Sequence, residues 1–176
     1  ANLADALQII VHQVKAGMGT DVCSVYVRDA DATHYVLMAT EGLNPGSVRK
    51  VRVAIGEGIV GLVAARQEPV NLANAAEHPS YIHFPETGEQ RYSGFLAVPL
   101  VHFRQSVGVL VVQQRTRRVF ADEEVAFLVT IGAQLAGRVT MYQMQSFGSS
   151  TQQQRDDWTD LVAAVEELLS LARHQT

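Results

Sequence analysis

The residues able to do chemistry are few, and their spacing narrows what that chemistry can be. Cys23 is the only cysteine among 176 residues, so one chain can form neither a disulfide nor a thiolate zinc site. It falls inside the apolar, β-branched stretch from Val22 to Val27, where cysteine packs more often than it reacts. A nucleophilic role needs exposure and a neighbouring base. The six histidines, His12, His34, His78, His83, His102 and His174, are scattered. Only His78 and His83 share a segment, and their spacing of five is not the three or four that places ligands together on a helix. No metal site and no cofactor are expected.

Gly56-Glu57-Gly58-Ile59-Val60-Gly61 has the spacing of a dinucleotide fingerprint, between a strand pattern and a helix pattern. That strand sits in an antiparallel run, and no strand–helix–strand unit with an acidic residue follows. The expected role of the glycines is therefore a tight turn and close packing of a short helix on a sheet. The first N–H groups of that helix remain available to an anionic group.

The richest stretch is Asn71 to Gln90 and the residues just after it. A binding pocket needs an apolar body with a few fixed polar groups. Tyr81, Phe84, Tyr92 and Phe95 can supply walls, with Ile59 from the short helix. Asn71, Asn74 and Ser93 offer hydrogen bonds, and Arg91 can hold a carboxylate through two parallel bonds. The alternative is a loop that packs its own aromatics over the sheet and leaves Arg91 in solvent.

The elements that must position these groups can be read from periodicity. Leu3, Leu7, Ile10, Val11, Val14 and Met18 recur at helical spacing, and glycines close that helix. Strand patterns follow at Asp21 to Arg28, Tyr35 to Thr40 and Val48 to Ile55, with turns too short for parallel crossovers. The Gly turn then opens a short helix that stops before Pro69. Apolar runs on either side of Arg104-Gln105-Ser106 read as central strands covered on both faces. A long helix starts at Asp122 with three acidic residues in its first turn. Residues 146–155 are polar and linker-like, and a last helix is expected from Asp156, with Trp158, Leu161, Val165 and Leu169 along a narrow seam. That seam can dock back on the domain or pair with a second copy.

Composition bounds the function. Fourteen basic against eighteen acidic residues, a net charge of −4, exclude the basic excess of a nucleic-acid-binding domain. Hydrophobic residues at 47% and charged residues at 18% describe a globular chain large enough to fold on one core. No continuous apolar run approaches the ~20 residues of a membrane helix, and the first residues form no signal peptide. Without a starting Met, the chain is expected to be part of something longer, in a reducing, cytoplasmic setting.

The order of elements and the phrases that fill them resemble the GAF domain family of small-molecule sensors. The resemblance is carried by Cys23-Ser24-Val25-Tyr26, Gly56 to Gly61, Phe95-Leu96-Ala97-Val98-Pro99-Leu100 and Val107 to Gln113. Within that family, MATEGLNP, GEGIVGLVAARQEPVNLANAAEHPSY and GVLVVQQ are similar to the GAF domains that head nitrogen-type enzyme I, a bacterial phosphoenolpyruvate–protein phosphotransferase. The resemblance spans about residues 2–145, which sets domain bounds of 1–145, linker 146–155 and helix 156–176. It implies an α+β fold: an antiparallel sheet of about six strands, terminal helices on one face, and the loop with the short helix over the other.

The resemblance also implies a regulatory module with no catalytic residue of its own. It would respond to a nitrogen-status metabolite, glutamine or 2-oxoglutarate, and act on catalytic domains elsewhere in the parent chain, as a homodimer through its helices. Neither a nucleic acid nor a membrane is an expected partner. Three alternatives stay open: a dimerisation module without ligand, a cyclic-nucleotide sensor and a free methionine sulfoxide reductase. The second lacks the family's Asn-Lys pair, since the strand end here reads Gln113-Gln114-Arg115. The third uses several cysteines where this chain has one.

Overall fold

The computed structural model describes residues 3–145 and 151–174. Helix α1 (Leu3–Met18) is followed by strands β1 (Val22–Arg28), β2 (His34–Glu41) and β3 (Arg52–Ala54), then by the short helix α2 (Gly58–Arg66) and β4 (Val70–Leu72). Strands β5 (Gly94–His102) and β6 (Gln105–Gln114) form a hairpin. Helices α3 (Asp122–Gln145) and α4 (Thr151–His174) complete the chain. All six strands form one antiparallel sheet in the order β3-β2-β1-β6-β5-β4.

Strand β6 is buried on both faces over most of its length, which is why its sequence is continuously apolar rather than alternating. The two faces of the sheet carry separate cores. On one, Leu7, Ile10 and Val14 of α1, Leu128, Ile131 and Leu135 of α3, and Trp158, Leu161 and Val165 of α4 share a cluster with Val25, Leu96 and Leu110. On the other, Ile59, Val60 and Val63 of α2 meet Tyr26, Leu37, Val53, Phe95 and Val109. The architecture is the α+β arrangement expected from the sequence, helices on one face and α2 with its loop on the other.

Three boundaries differ from the periodicity. The Val48–Ile55 strand shrinks to Arg52–Ala54. Ahead of it the carbonyl of fully buried Ser47 accepts from both Lys50 N and Val51 N, at 3.0 and 3.1 Å, and Arg49 has φ 67°, so the chain turns before it pairs. The irregular stretch contains β4, a three-residue strand too short to show a period. Helix α4 starts at Thr151 rather than Asp156; Gln and Arg are good helix formers, and the helix extends back through them. The remainder of the expected linker, 146–150, lies outside the described residues. The seam on α4 docks back: Trp158, Leu161, Val165 and Leu169 pack against α1 and α3.

By length and composition α3 is apolar enough to cross a membrane, with a mean hydropathy of 1.3 over Asp122–Met144. No unbroken run reveals this, because polar residues interrupt it. Leu128, Ile131, Leu135 and Val139 spend one side of it on the core. Its first turn is fixed by Glu124, whose carboxylate accepts from Ala121 N at 3.0 Å while pairing with Arg118. That contact holds the helix start.

The Gly-rich turn does the structural work expected of it. A Cβ on Gly61 would lie 2.5 Å from the Ala54 carbonyl and 3.0 Å from Gly56 N, both backbone atoms that cannot swing aside. Gly61→Ala is therefore expected to cost about 1–3 kcal/mol, a fall of about 3–10 °C in thermal denaturation.

Candidate functional site

Between β1, α2 and the loop that joins β4 to β5 lies a small cavity of about 30 Å³, room for a single water. Its floor is Tyr26 on β1 and Phe95 on β5, one wall is Gly58, Ile59 and Val60 of α2, and its roof is Tyr81, Ile82 and Phe84 of the loop, beside Glu89.

Each group is placed by local rules. Tyr26 follows an irregularity in the β1–β2 pairing, which skips Met38 between Val25/Ala39 and Tyr26/Leu37, and such bulges re-aim a side chain. Tyr26 is 5% exposed, and among the described residues no group hydrogen-bonds its hydroxyl. Phe84 and Glu89 are set by a turn around buried Thr87. The Phe84 carbonyl accepts from Thr87 N at 3.1 Å and from Thr87 Oγ1 at 2.8 Å. Thr87 Oγ1 accepts in turn from Glu89 N at 3.1 Å. Asn44 N donates to the Thr87 carbonyl at 3.0 Å, tying the turn to the β2–β3 connection.

Among the described residues Glu89 is the only carboxylate lining the cavity, and no Arg, Lys or His lines it. Phe84 N donates to its Oε1 at 3.5 Å, the outer limit of a hydrogen bond. Burial pushes its carboxyl up to about 7, against which that N–H acts only weakly. Burial first, and Glu89 second, raise the phenols of Tyr26 and Tyr81 as well. At the α2 end, Glu57 spends its carboxylate on Ala54 N at 3.1 Å and provides no side-chain cap, so the first N–H groups of the helix have no side-chain partner there.

Of the residues singled out from sequence, Ile59, Tyr81, Phe84 and Phe95 converge here. The others are elsewhere. Asn71 clasps the segment before α3, its Nδ2 donating to Phe120 O at 2.8 Å and its Oδ1 accepting from Phe120 N at 3.0 Å. Asn74 Oδ1 accepts from Ala76 N at 3.2 Å and caps the single 3-10 turn Ala75–Glu77. The Ser93 carbonyl accepts from Ala75 N at 2.9 Å. Arg91 and Tyr92 line a separate polar groove of about 400 Å³ with Asn44 and Gly88. There Tyr92 donates to the Gly42 carbonyl at 3.2 Å, beneath the Arg115 guanidinium 6.0 Å from its ring. Glu89 and Tyr26 escaped the sequence reading. A lone tyrosine in a β-branched strand was the one available signal.

Cys23 is fully buried, and burial raises its thiol pKa far from the thiolate range. Among the described residues no three His, Cys, Asp or Glu side chains converge as metal ligands would.

A family model, described as GAF domain, matches residues 2–139. The chain belongs to the GAF domain family. It is 44% identical over 153 residues to the phosphoenolpyruvate-dependent phosphotransferase system protein of Escherichia coli K12, covering 87% of this chain and 20% of that one. The chain thus spans about a fifth of the curated relative's length. Among solved structures, the GAF domain of a phosphoenolpyruvate-protein phosphotransferase from Coxiella burnetii superposes with a TM-score of 0.77 at 43% identity, over 82% of this chain and 86% of that one. The Acinetobacter counterpart gives 0.72 at 42% identity, over 82% and 85%. Both solved structures are GAF domains, the fold that this chain builds.

Proposed function

We propose that this GAF domain is the regulatory, non-catalytic sensor of a cytoplasmic, nitrogen-related phosphoenolpyruvate–protein phosphotransferase. It takes a nitrogen-status metabolite, glutamine or 2-oxoglutarate, beneath the β4–β5 loop. Ligand favours one arrangement of the loop, and α3 and α4 carry that bias to catalytic domains. The relatives supply the phosphotransferase setting.

The observation that carries the sensing role is the connector between β6 and α3. Residues 115–121 are bonded to both ends of the loop. At its start Asn71 clasps Phe120 and Glu77 pairs with Arg117 at 2.9 Å. At its end Gly94 N donates to the Thr116 carbonyl at 3.2 Å, and Arg115 stands over Tyr92. A loop that moves to admit a ligand therefore pulls on the segment that starts α3.

The small cavity favours a second reading, a dimerisation module whose pocket has closed, because ligand sites usually enclose roughly 300–1,000 Å³. Thermal melting with glutamine, 2-oxoglutarate and cyclic nucleotides separates the two. A ligand at about a hundred times its Kd stabilises by ~2.7 kcal/mol, a rise of roughly 5–10 °C for a domain of this size. A rise with one nitrogen metabolite is expected; no rise with any of them leaves the dimerisation module.

A further inference from the structure

The β5–β6 hairpin turns through two residues, Phe103 and Arg104, between paired His102 and Gln105. Both stand in the left-handed region, with φ of 47° and 66°, which two-residue hairpins normally give to Asn and Gly. A bulky side chain in that conformation carries backbone strain. The strain brings no burial in return: Phe103 is 88% exposed, the most exposed large apolar residue among those described. Its ring stands edge-on to that of His102, with centroids 4.4 Å apart. The turn is braced from α2 and β1. Gln67 Nε2 donates to the Arg104 carbonyl at 2.6 Å, and the Arg28 guanidinium donates to Gln105 Oε1 at 3.4 Å. The tip is thus a fixed aromatic knob beside a cation, and Arg104 forms no ion pair among the described residues.

A hollow of complementary character lies nearer the start of α3. Phe127, Leu168, Leu171 and Ala172 line an open groove of about 710 Å³ between α3 and α4, and Glu123 is its one charged lining residue among those described. Glu123, like Arg104, forms no ion pair among the described residues. The hairpin tip stands beside Gly137, where a Cβ would lie 3.8 Å from His102 Nδ1. Ala126 and Thr130 of the groove, then Ala133 and Gly137, follow one another at spacings of four, three and four, so knob and groove share one side of α3. From Phe127 to Gly137 the helix rises ~15 Å. A braced tip does not reach across that distance into its own groove.

We infer that the occupant is a second copy of this chain: Phe103 of each copy enters the α3–α4 groove of the other, and Arg104 meets the partner's Glu123. The charges are complementary, and an aromatic anchor flanked by Arg is the composition of an energetic hot spot. Placement on one side of α3 lets both contacts form at once. A two-fold axis across the helix near Ala133 turns it end for end and sets each tip over the opposite groove. Such a pairing is self-complementary and closed, with no free end to extend. The small side chains of Ala126, Thr130 and Ala133 let the two antiparallel helices approach between the knobs. It also covers apolar surface that the core leaves over, since 33% of the most apolar stretch of α3 is buried. The inference goes beyond the sensor reading and uses no residue beneath the β4–β5 loop, so either can fail without the other.

Sedimentation of this chain over a range of concentrations, beside thermal melting, tests the pairing. Wild-type protein is expected to form a reversible dimer and nothing larger. Phe103→Gly is expected to weaken that dimer at least about tenfold, the loss of a hot-spot anchor. Its melt in dilute, monomeric solution is expected to be no lower than that of wild type, because Gly takes a left-handed φ without strain. Leu171→Asp, at a groove residue 56% exposed, is expected to weaken the dimer comparably. Arg104→Glu and Glu123→Arg, each shown to be folded by its melt, are expected to weaken it severalfold. The double variant R104E/E123R restores opposite charges and is expected to recover most of that loss. A wild type that stays monomeric at high concentration overturns the assignment. So does a dimer of unchanged affinity in F103G or L171D, or a double variant no tighter than the singles. A ladder of larger oligomers overturns it as well, because the contacts then do not close.

Discussion

Trp158→Ala is expected to lower the melting temperature of the domain by about 6–20 °C. The indole is 6% exposed, its ring lies 6.3 Å from that of Tyr142 on α3, and Leu161, Val165 and Leu169 continue the same face onto α1 and α3. Removing a ring of that size from a packed core costs about 3–5 kcal/mol, and each kcal/mol moves a domain of this size by roughly 2–4 °C. A thermal melt of the variant beside wild type is the check. A fall of less than about 3 °C means that α4 does not hold this position in solution. The result bears on the proposed signalling, because α4 touches both α1 and α3 and can report a shift of either. The α1 end is fitted to it, since a side chain at Gly17 would collide with Leu169.

The second large effect is a pH dependence of stability that belongs to Glu89. In the folded chain its carboxyl is pushed up from 4.5 to about 7 by burial. The folded state therefore holds a proton that the unfolded chain releases. The corresponding stability is complete below the ordinary carboxyl value and is lost as pH rises through about 7. At 1.36 kcal/mol per pH unit the gap amounts to about 3 kcal/mol. Glu89→Gln cannot ionise and escapes the loss. The variant should match wild type near pH 5 and exceed it by about 6–12 °C in melting temperature at pH 8. Taking the difference between the two proteins removes every contribution common to both. A difference that stays constant with pH would show that Glu89 is solvated and the cavity wet.

Much of the fold could be read from the residues alone, for a physical reason. Helices α1 and α3 bury one face and keep a period of 3.6, whereas strands β1, β5 and β6 are covered on both faces and read as continuous apolar runs. Strand β4 carries three residues and offers no period to detect. Val48 to Ile55 alternates as a strand would, yet Ser47 and Arg49 fold its first half into a turn, and alternation does not report whether a partner strand is in reach. The site divides in the same way. Aromatic walls follow from composition, and Ile59, Tyr81, Phe84 and Phe95 do meet. Which polar groups join them depends on the hydrogen bonds around Thr87 and on the skipped residue in β2, both set by contacts distant in sequence. Beyond the turn at Thr87, Glu89 lines the cavity and Arg91 the neighbouring groove.

The sheet ends at both sides in its shortest strands, β3 and β4, of three residues each. An arriving β-segment would find a ladder only three residues long at either border, with Pro69 just ahead of one and Arg52 on the other. Proteins guard against edge-to-edge aggregation with such short, charged or proline-flanked borders. Edge-to-edge templating of fibrils is therefore disfavoured at both borders of the sheet.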